Sequence, residues 1–160
     1  MLAEQGLALR VIWMSESTTL SPDELDWHRP MVSLKIIYKD PNLLKARAKN
    51  PRIHTSRQIQ QIATSIGEFG FVNPVLIDGS DGIIAGHGRV LAAKSLGMAD
   101  IPTVRVDHLA PAQIRAYVIA DNKLAENAGW DRTLLALELK ELSVELNFDV
   151  TLTGFEVGEV

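Results

Sequence analysis

Residues 83–97 read IIAGHGRVLAAKSLG and put Gly86, His87, Gly88 and Arg89 where an apolar run gives way to a helical pattern. Two glycines let a backbone pass close to another group, and the first amides of a helix attract anions. Arg89, in the first helical turn, adds a planar fork of donors that matches a phosphate. These residue types together describe a phosphate-binding turn. A plain strand-to-helix corner would use the same glycines, and the four residues alone leave both readings open. The turn is not a Walker A loop, because no Lys-Ser or Lys-Thr pair follows the glycines. Nor is it a dinucleotide fingerprint, since Leu91 stands where a small residue should let helix and strand pack.

Charge and one misplaced acid supply the other candidates. From Leu43 to Arg57 there are five basic residues (Lys45, Arg47, Lys49, Arg52, Arg57) and no acid. The whole chain carries a net charge of −4, so one basic patch on an acidic molecule suits a localised anionic partner. A solvated loop has the same composition. Further on, Ile114, Val118, Asp121 and Ala125 share one helical face by spacing, which puts Asp121 on an otherwise apolar stripe. A carboxylate there needs a partner.

The elements that must hold these residues follow from periodicity. VSLKIIY (32–38) is a β-branched strand candidate, followed by a long basic connection broken by Pro41 and Pro51. Thr55 and Gln58 form a capping box ahead of Ile59, Ile62, Ala63, Ile66 and Phe69, one helical stripe that Gly70 ends. PVLID and IIA are short strands around the turn GSDG, and a helix from the glycine turn presents Val90, Ala93 and Leu96. IPTVRVDHL is a further strand, and Pro111 suits the first turn of the next helix. Asp131 caps a last helix, with Trp130 set to staple on Leu135 and with Leu135, Leu139, Leu142 and Leu146 as an inner edge that packs on its own core. Connections too short for repeated βαβ crossovers favour a compact mixed α+β domain. Residues 1–30 read as an N-terminal extension, 31–108 as the α+β core and 109–160 as a C-terminal helical segment that completes the site.

Composition narrows the chemistry. The 160 residues, 46% hydrophobic and 22% charged, fit one soluble domain. No cysteine occurs, which excludes disulfides, thiolate zinc sites and cysteine nucleophiles. His28, His54, His87 and His108 show no metal-ligand spacing. No apolar run approaches the roughly 20 residues of a membrane span, and the N-terminus is a poor secretory signal, so a cytoplasmic protein is expected.

Four segments stand in a telling order: NPR at 50–52, SIGEFGFVNPVLI at 65–77, IIAGHGRVLAAKSLG at 83–97 and IPTVRV at 101–106. Over about residues 31–127 the chain resembles the N-terminal domain of the ParB/sulfiredoxin superfamily, also called the ParB-like nuclease domain. The resemblance implies a compact ParB/sulfiredoxin-like α+β fold, with a small mixed sheet and packed helices. In ParB proteins the glycine turn reads Gly-Glu-Arg-Arg and grips the triphosphate of CTP. Carried over, Gly86 and Arg89 match, while His87 and Gly88 replace the glutamate and first arginine. The segment Gly70 to Pro74 matches a second nucleotide-contacting motif, with Asn73 where ParB usually has glutamine. Asp121 and Asn122 stand where a third motif begins Glu-Asn and supports the metal, and Ala125 replaces the arginine that ends it. Sulfiredoxin chemistry needs a cysteine near His87 and is excluded.

RAYVIADNKLAENAGWD followed by LTGFEVGEV further resembles ParB-type modules found ahead of DNA modification methyltransferases in phages and mobile elements. No Asp-Pro-Pro-Tyr motif occurs and no ParB-type helix-turn-helix centromere reader is expected after the core, so the chain reads as a fragment or stand-alone module rather than a segregation protein.

Three functions are therefore in play. The first is a nucleotide-binding, DNA-associated module: Gly70, Asn73, Pro74, Gly86, His87, Gly88, Arg89 and Asn122 would bind CTP or ATP, and Asp121 and Asn122 would hold Mg²⁺. Lys45, Arg47, Lys49, Arg52 and Arg57 would face DNA. His87 and Asp121 are its candidate catalytic groups for slow triphosphate hydrolysis. The second is a metal-dependent nuclease using Asp78, Asp81, Asp121 and Glu126. The third is a non-catalytic interaction module of a methyltransferase. The implied partners are nucleotide, DNA, a second copy of the chain and a methyltransferase domain or subunit, with no membrane.

Overall fold

A computed structural model of the chain describes residues 33–155. The expected extension at 1–30 lies outside them. Four strands form one sheet in the order β1-β4-β2-β3: β1 (Ile36–Lys39), β2 (Val75–Ile77), β3 (Ile83–Ala85) and β4 (Ile101–Arg105). β4 runs antiparallel to β1 and parallel to β2, and β2 is antiparallel to β3. The helices are α1 (Ser56–Phe69), α2 (His87–Ser95), α3 (Pro111–Glu126) and α4 (Arg132–Lys140). This is the mixed α+β arrangement expected.

The pleat sorts the core. Successive strand residues face opposite sides, so Ile83 joins Val75, Ile77, Ile101, Val90 and Ala93 on one side, while Ile84 joins Val106, Ile114 and Val118 on the other. The sheet thus lies between α2 and α3. A third cluster, Ala63, Ile66 and Ala92, joins α1 to α2. Thr103, the one buried polar or charged residue of the core among the described residues, donates its hydroxyl to Ile37 O at 2.7 Å.

Between β2 and β3 the turn is built by acids. Asp78 Oδ1 accepts from the amides of Ser80 and Gly82, both at 2.8 Å. Asp81 adopts a left-handed φ of 63° and pairs with Lys39 at 2.6 Å and Arg105 at 3.1 Å.

Three local expectations change. The first strand begins at Ile36 rather than Val32. Thr55 does cap α1, accepting from Gln58 N at 3.2 Å, but the Gln58 side chain bonds His54 Nδ1 at 3.0 Å. Trp130 meets Phe155 edge-on at 5.4 Å, and the leucine edge of α4 is only half covered: Leu135, Leu139 and Leu142 are half-buried and Leu146 is exposed. After α4 the chain widens into one π-turn (Glu141–Glu145) and Phe148 stacks on Phe69 at 6.0 Å. Phe148 thus ties the segment after α4 to α1.

Ile77 is 0% exposed between strands and α2. Ile77→Ala should cost about 2–5 kcal/mol in chemical denaturation. Leu137→Ala, at an exposed position of α4, should stay within about 0.5 kcal/mol.

Candidate functional site

β3 delivers the chain directly into α2, and Gly86 is the hinge between them. It caps α2 at φ 100°, ψ 24°, a left-handed conformation that glycine tolerates. A Cβ there would lie 3.0 Å from Arg89 Nη2 and 3.2 Å from Val75 Cγ2. No side chain caps the helix, and its first backbone closure is Val90 N to Gly86 O at 3.0 Å. The amides of His87, Gly88 and Arg89 are therefore left over by helix geometry.

Gly88 answers a different need. It is buried with no left-handed backbone, and a Cβ would meet Ile62 Cδ1 at 3.0 Å and the His54 ring at 3.2 Å. One glycine makes the turn; the other lets α1 and the preceding connection close on α2.

Arg89 curls back under this turn. Its Nη2 donates to Pro74 O at 3.3 Å, while its Nε is buried without a hydrogen-bond partner. Burial pulls the guanidinium below its ordinary pKa, and the charge of Asp121 acts in the opposite sense. A buried unpaired donor is costly, and a cation in the first turn of a helix opposes the dipole. Both costs fall when an anion binds.

Two clefts meet at Arg89. A polar one of about 190 Å³ lies among Arg52, His54, Gly86–Arg89, Asp121 and Asn122. A larger, mostly apolar one of about 470 Å³ runs along α1 and includes Gly70 and Asn73. Gln58, Ile62 and Arg89 line both. Pro74 lines neither and contributes its carbonyl to Arg89.

Asp121 is exposed at the end of the α3 stripe, one turn beyond buried Val118, and Tyr117 Oη donates to it at 3.5 Å. Asn122 donates Nδ2 to Val118 O at 2.7 Å, which leaves its amide oxygen as an acceptor. One carboxylate and one amide oxygen beside the polar cleft could hold Mg²⁺, with an anionic ligand and water completing its shell. Among the described residues no three His, Asp or Glu side chains converge on a metal-sized site.

The basic connection passes the mouth of the polar cleft. Arg47 N donates to His87 Nε2 at 3.4 Å, and Arg52 pairs with Glu126, which Lys123 also contacts. Lys45 and Lys49 are exposed, Arg47 and Arg52 half-buried, and Arg57 is exposed at the start of α1. Lys45 bridges Gly82 through its backbone. Of the carboxylates named for nuclease chemistry, Asp78 and Asp81 shape the β2–β3 turn and Glu126 pairs with Arg52.

Sequence reasoning missed His54, Gln58 and Asn50 in the polar cleft, and Phe71 and Leu152 in the larger one. His54 directly precedes the α1 cap, and only the closeness of α1 to α2 at Gly88 reveals its part.

With fold and site in view, the comparisons converge. Residues 32–122 match the ParB N-terminal domain family, and residues 133–160 match the ParB-methyltransferase HTH domain. The chain belongs to the ParB N-terminal domain family, within the ParB/sulfiredoxin superfamily. It is 45% identical over 80 residues to the ParB-like nuclease domain-containing protein YnaK of Escherichia coli (strain K12), spanning 50% of this chain and 92% of that protein. It is 33% identical over 90 residues to the probable chromosome 2-partitioning protein ParB of Deinococcus radiodurans, spanning 54% of this chain and 30% of that one. A crystal structure of C-terminally truncated ParB from Caulobacter crescentus, complexed with CTP-gamma-S, shares the fold at a TM-score of 0.63 and 20% identity, over 75% of this chain and 69% of that. The match at 133–160 adds a helix-turn-helix family segment after the core, where periodicity alone predicts only a helical segment. The apolar stripe of α4 looks the same in sequence whether the helix covers a core or belongs to a helix-turn-helix. No helix among the described residues is long and apolar enough to cross a membrane.

His87 offers a test of the site's electrostatics. Burial first, then the charges of His54 and Arg47, hold its imidazole below the ordinary histidine pKa. Between that lowered value and about 6.5 in the unfolded chain, the unfolded state binds more protons, so His87 removes stability as pH falls through this window. His87→Gln should flatten the fall in unfolding free energy between about pH 7 and 5, measured by urea titration. An unchanged slope would show that His87 is not buried in this way.

Proposed function

We propose that this chain binds a nucleoside triphosphate with Mg²⁺, CTP first among the candidates, and serves as a DNA-associated module of a DNA modification system. The observation that carries the proposal is Arg89, half-buried at an uncapped helix N-terminus with its Nε unpaired. Helix amides and a guanidinium facing one polar cleft form an anion site. In this reading the phosphates occupy that cleft and the nucleoside occupies the larger apolar one, with Arg89 between. Asp121 and Asn122 would hold Mg²⁺, which neutralises charge on the phosphates. The CTP-gamma-S complex of the Caulobacter protein favours CTP.

His87 is better suited to binding than to base catalysis. Its Nε2 already accepts from Arg47 N, so proton abstraction by that atom would release the connection. Turnover, if present, is slow. The nuclease alternative has Asp121 as its remaining carboxylate at the cleft, since its other three acids serve the β2–β3 turn and Arg52. The match to a methyltransferase-linked HTH family supports the DNA-modification setting.

Calorimetric titration with Mg²⁺ and CTP, ATP or GTP tests the site. Wild type should bind, and Arg89→Ala should lose about 1.5–3 kcal/mol, about tenfold to a hundredfold in affinity, while keeping its fold. Equal binding by Arg89→Ala, or none by wild type, contradicts the reading. On the DNA side, duplex binding by Lys45 and Lys49 should weaken steeply with salt and fall when both become alanine; salt-independent retention on DNA would remove the basic connection from the account.

A further inference from the structure

We infer that residues 150–154, inside the segment matching the HTH family, form a wall of the nucleoside end of the site and contribute to recognition of the base or ribose. The inference rests on the nucleotide reading above and extends it to residues that no motif of the N-terminal domain includes. The larger cleft has α1 on one side and Leu152, Thr153 and Gly154 on another.

Two aromatic contacts hold this wall from both ends. Phe148 stacks on Phe69 of α1 at 6.0 Å, and Phe155 meets Trp130 edge-on at 5.4 Å. Between them the chain forms a 3-10 turn, Val150–Thr153, braced by bonds within the segment. Asp149 Oδ1 accepts from Thr151 N at 3.0 Å and Thr151 Oγ1 at 2.7 Å, and Thr153 Oγ1 donates to Val150 O at 2.6 Å. Gly154 closes the turn with φ 94°. With those hydroxyl protons engaged, the half-buried side chain of Leu152 is the apolar contact that the segment offers the cleft, beside Thr153 and Gly154. An apolar wall opposite α1 suits the faces of a base or sugar and gives nothing to phosphate.

The consequence is a split between nucleotide and phosphate binding. Calorimetry should compare Mg²⁺-CTP with Mg²⁺-tripolyphosphate on the full chain. Leu152→Ala should weaken CTP by about tenfold, as expected for trimming a partly buried apolar contact, and leave tripolyphosphate unchanged. Leu152→Met, similar in volume, should keep CTP affinity. Phe148→Ala lies outside the cleft and should weaken CTP alone by loosening the wall. If wild type binds CTP and both alanine variants bind it equally well, the wall is overturned and the nucleotide site stands. Wild type that binds tripolyphosphate as tightly as CTP overturns the wall too, while the phosphate cleft survives. Binding of neither ligand by wild type overturns the nucleotide reading and this inference together.

Discussion

Holding a guanidinium in the first turn of a helix, with one nitrogen buried and unpartnered, sets two unfavourable terms side by side. The unpaired Nε lacks the hydrogen bonds that water would supply, and the positive end of the helix repels the cation. Neither term relaxes easily, because Pro74 O holds Nη2 and Gly86 leaves just enough room above the fork. A Cβ at Gly86 would crowd that guanidinium and Val75 at once. An anion at this turn would relieve both terms, and the surrounding fold supplies the turn's rigidity. β3 is buried along its length, and α2 is packed against the sheet on one side and α1 on the other.

The same constraint organises the connection between β1 and α1. Gly88 allows His54 and Ile62 to reach the first turn of α2, which brings α1 alongside the polar cleft. Arg47 N then engages His87, and Arg52 reaches across to Glu126 at the end of α3. Basic residues that look in sequence like a free patch are partly tied to the site's rim. An exposed pair such as Arg52–Glu126 contributes little stability, so a phosphate or a DNA backbone could displace it at small cost.

Much of the fold was legible because it is written in local patterns. The Thr55 cap, the α1 stripe, the Gly70 stop and the four short strands follow from periodicity and breakers, and their order led to the superfamily. Gly86 and Arg89 were legible as a pair for the same reason: the turn and the helix start are adjacent in sequence. The rest depended on distance. Nothing local says that Gln58 bonds His54 instead of completing its capping box, or that Gly88 is needed for helix packing rather than for a backbone angle. The leucines of α4 misled, because a helical stripe states that a face is apolar and not what covers it.

The central claim is that the leftover amides of α2 and the Arg89 guanidinium share one anion. Amide chemical-shift mapping of ¹⁵N-labelled protein titrated with Mg²⁺-CTP addresses it most directly. The account predicts the largest shifts at the amides of His87, Gly88 and Arg89 and at the Arg89 Nε–H, saturating together with one dissociation constant. Shifts confined to the basic connection or to α4, with the α2 amides and Arg89 Nε unmoved, would contradict it.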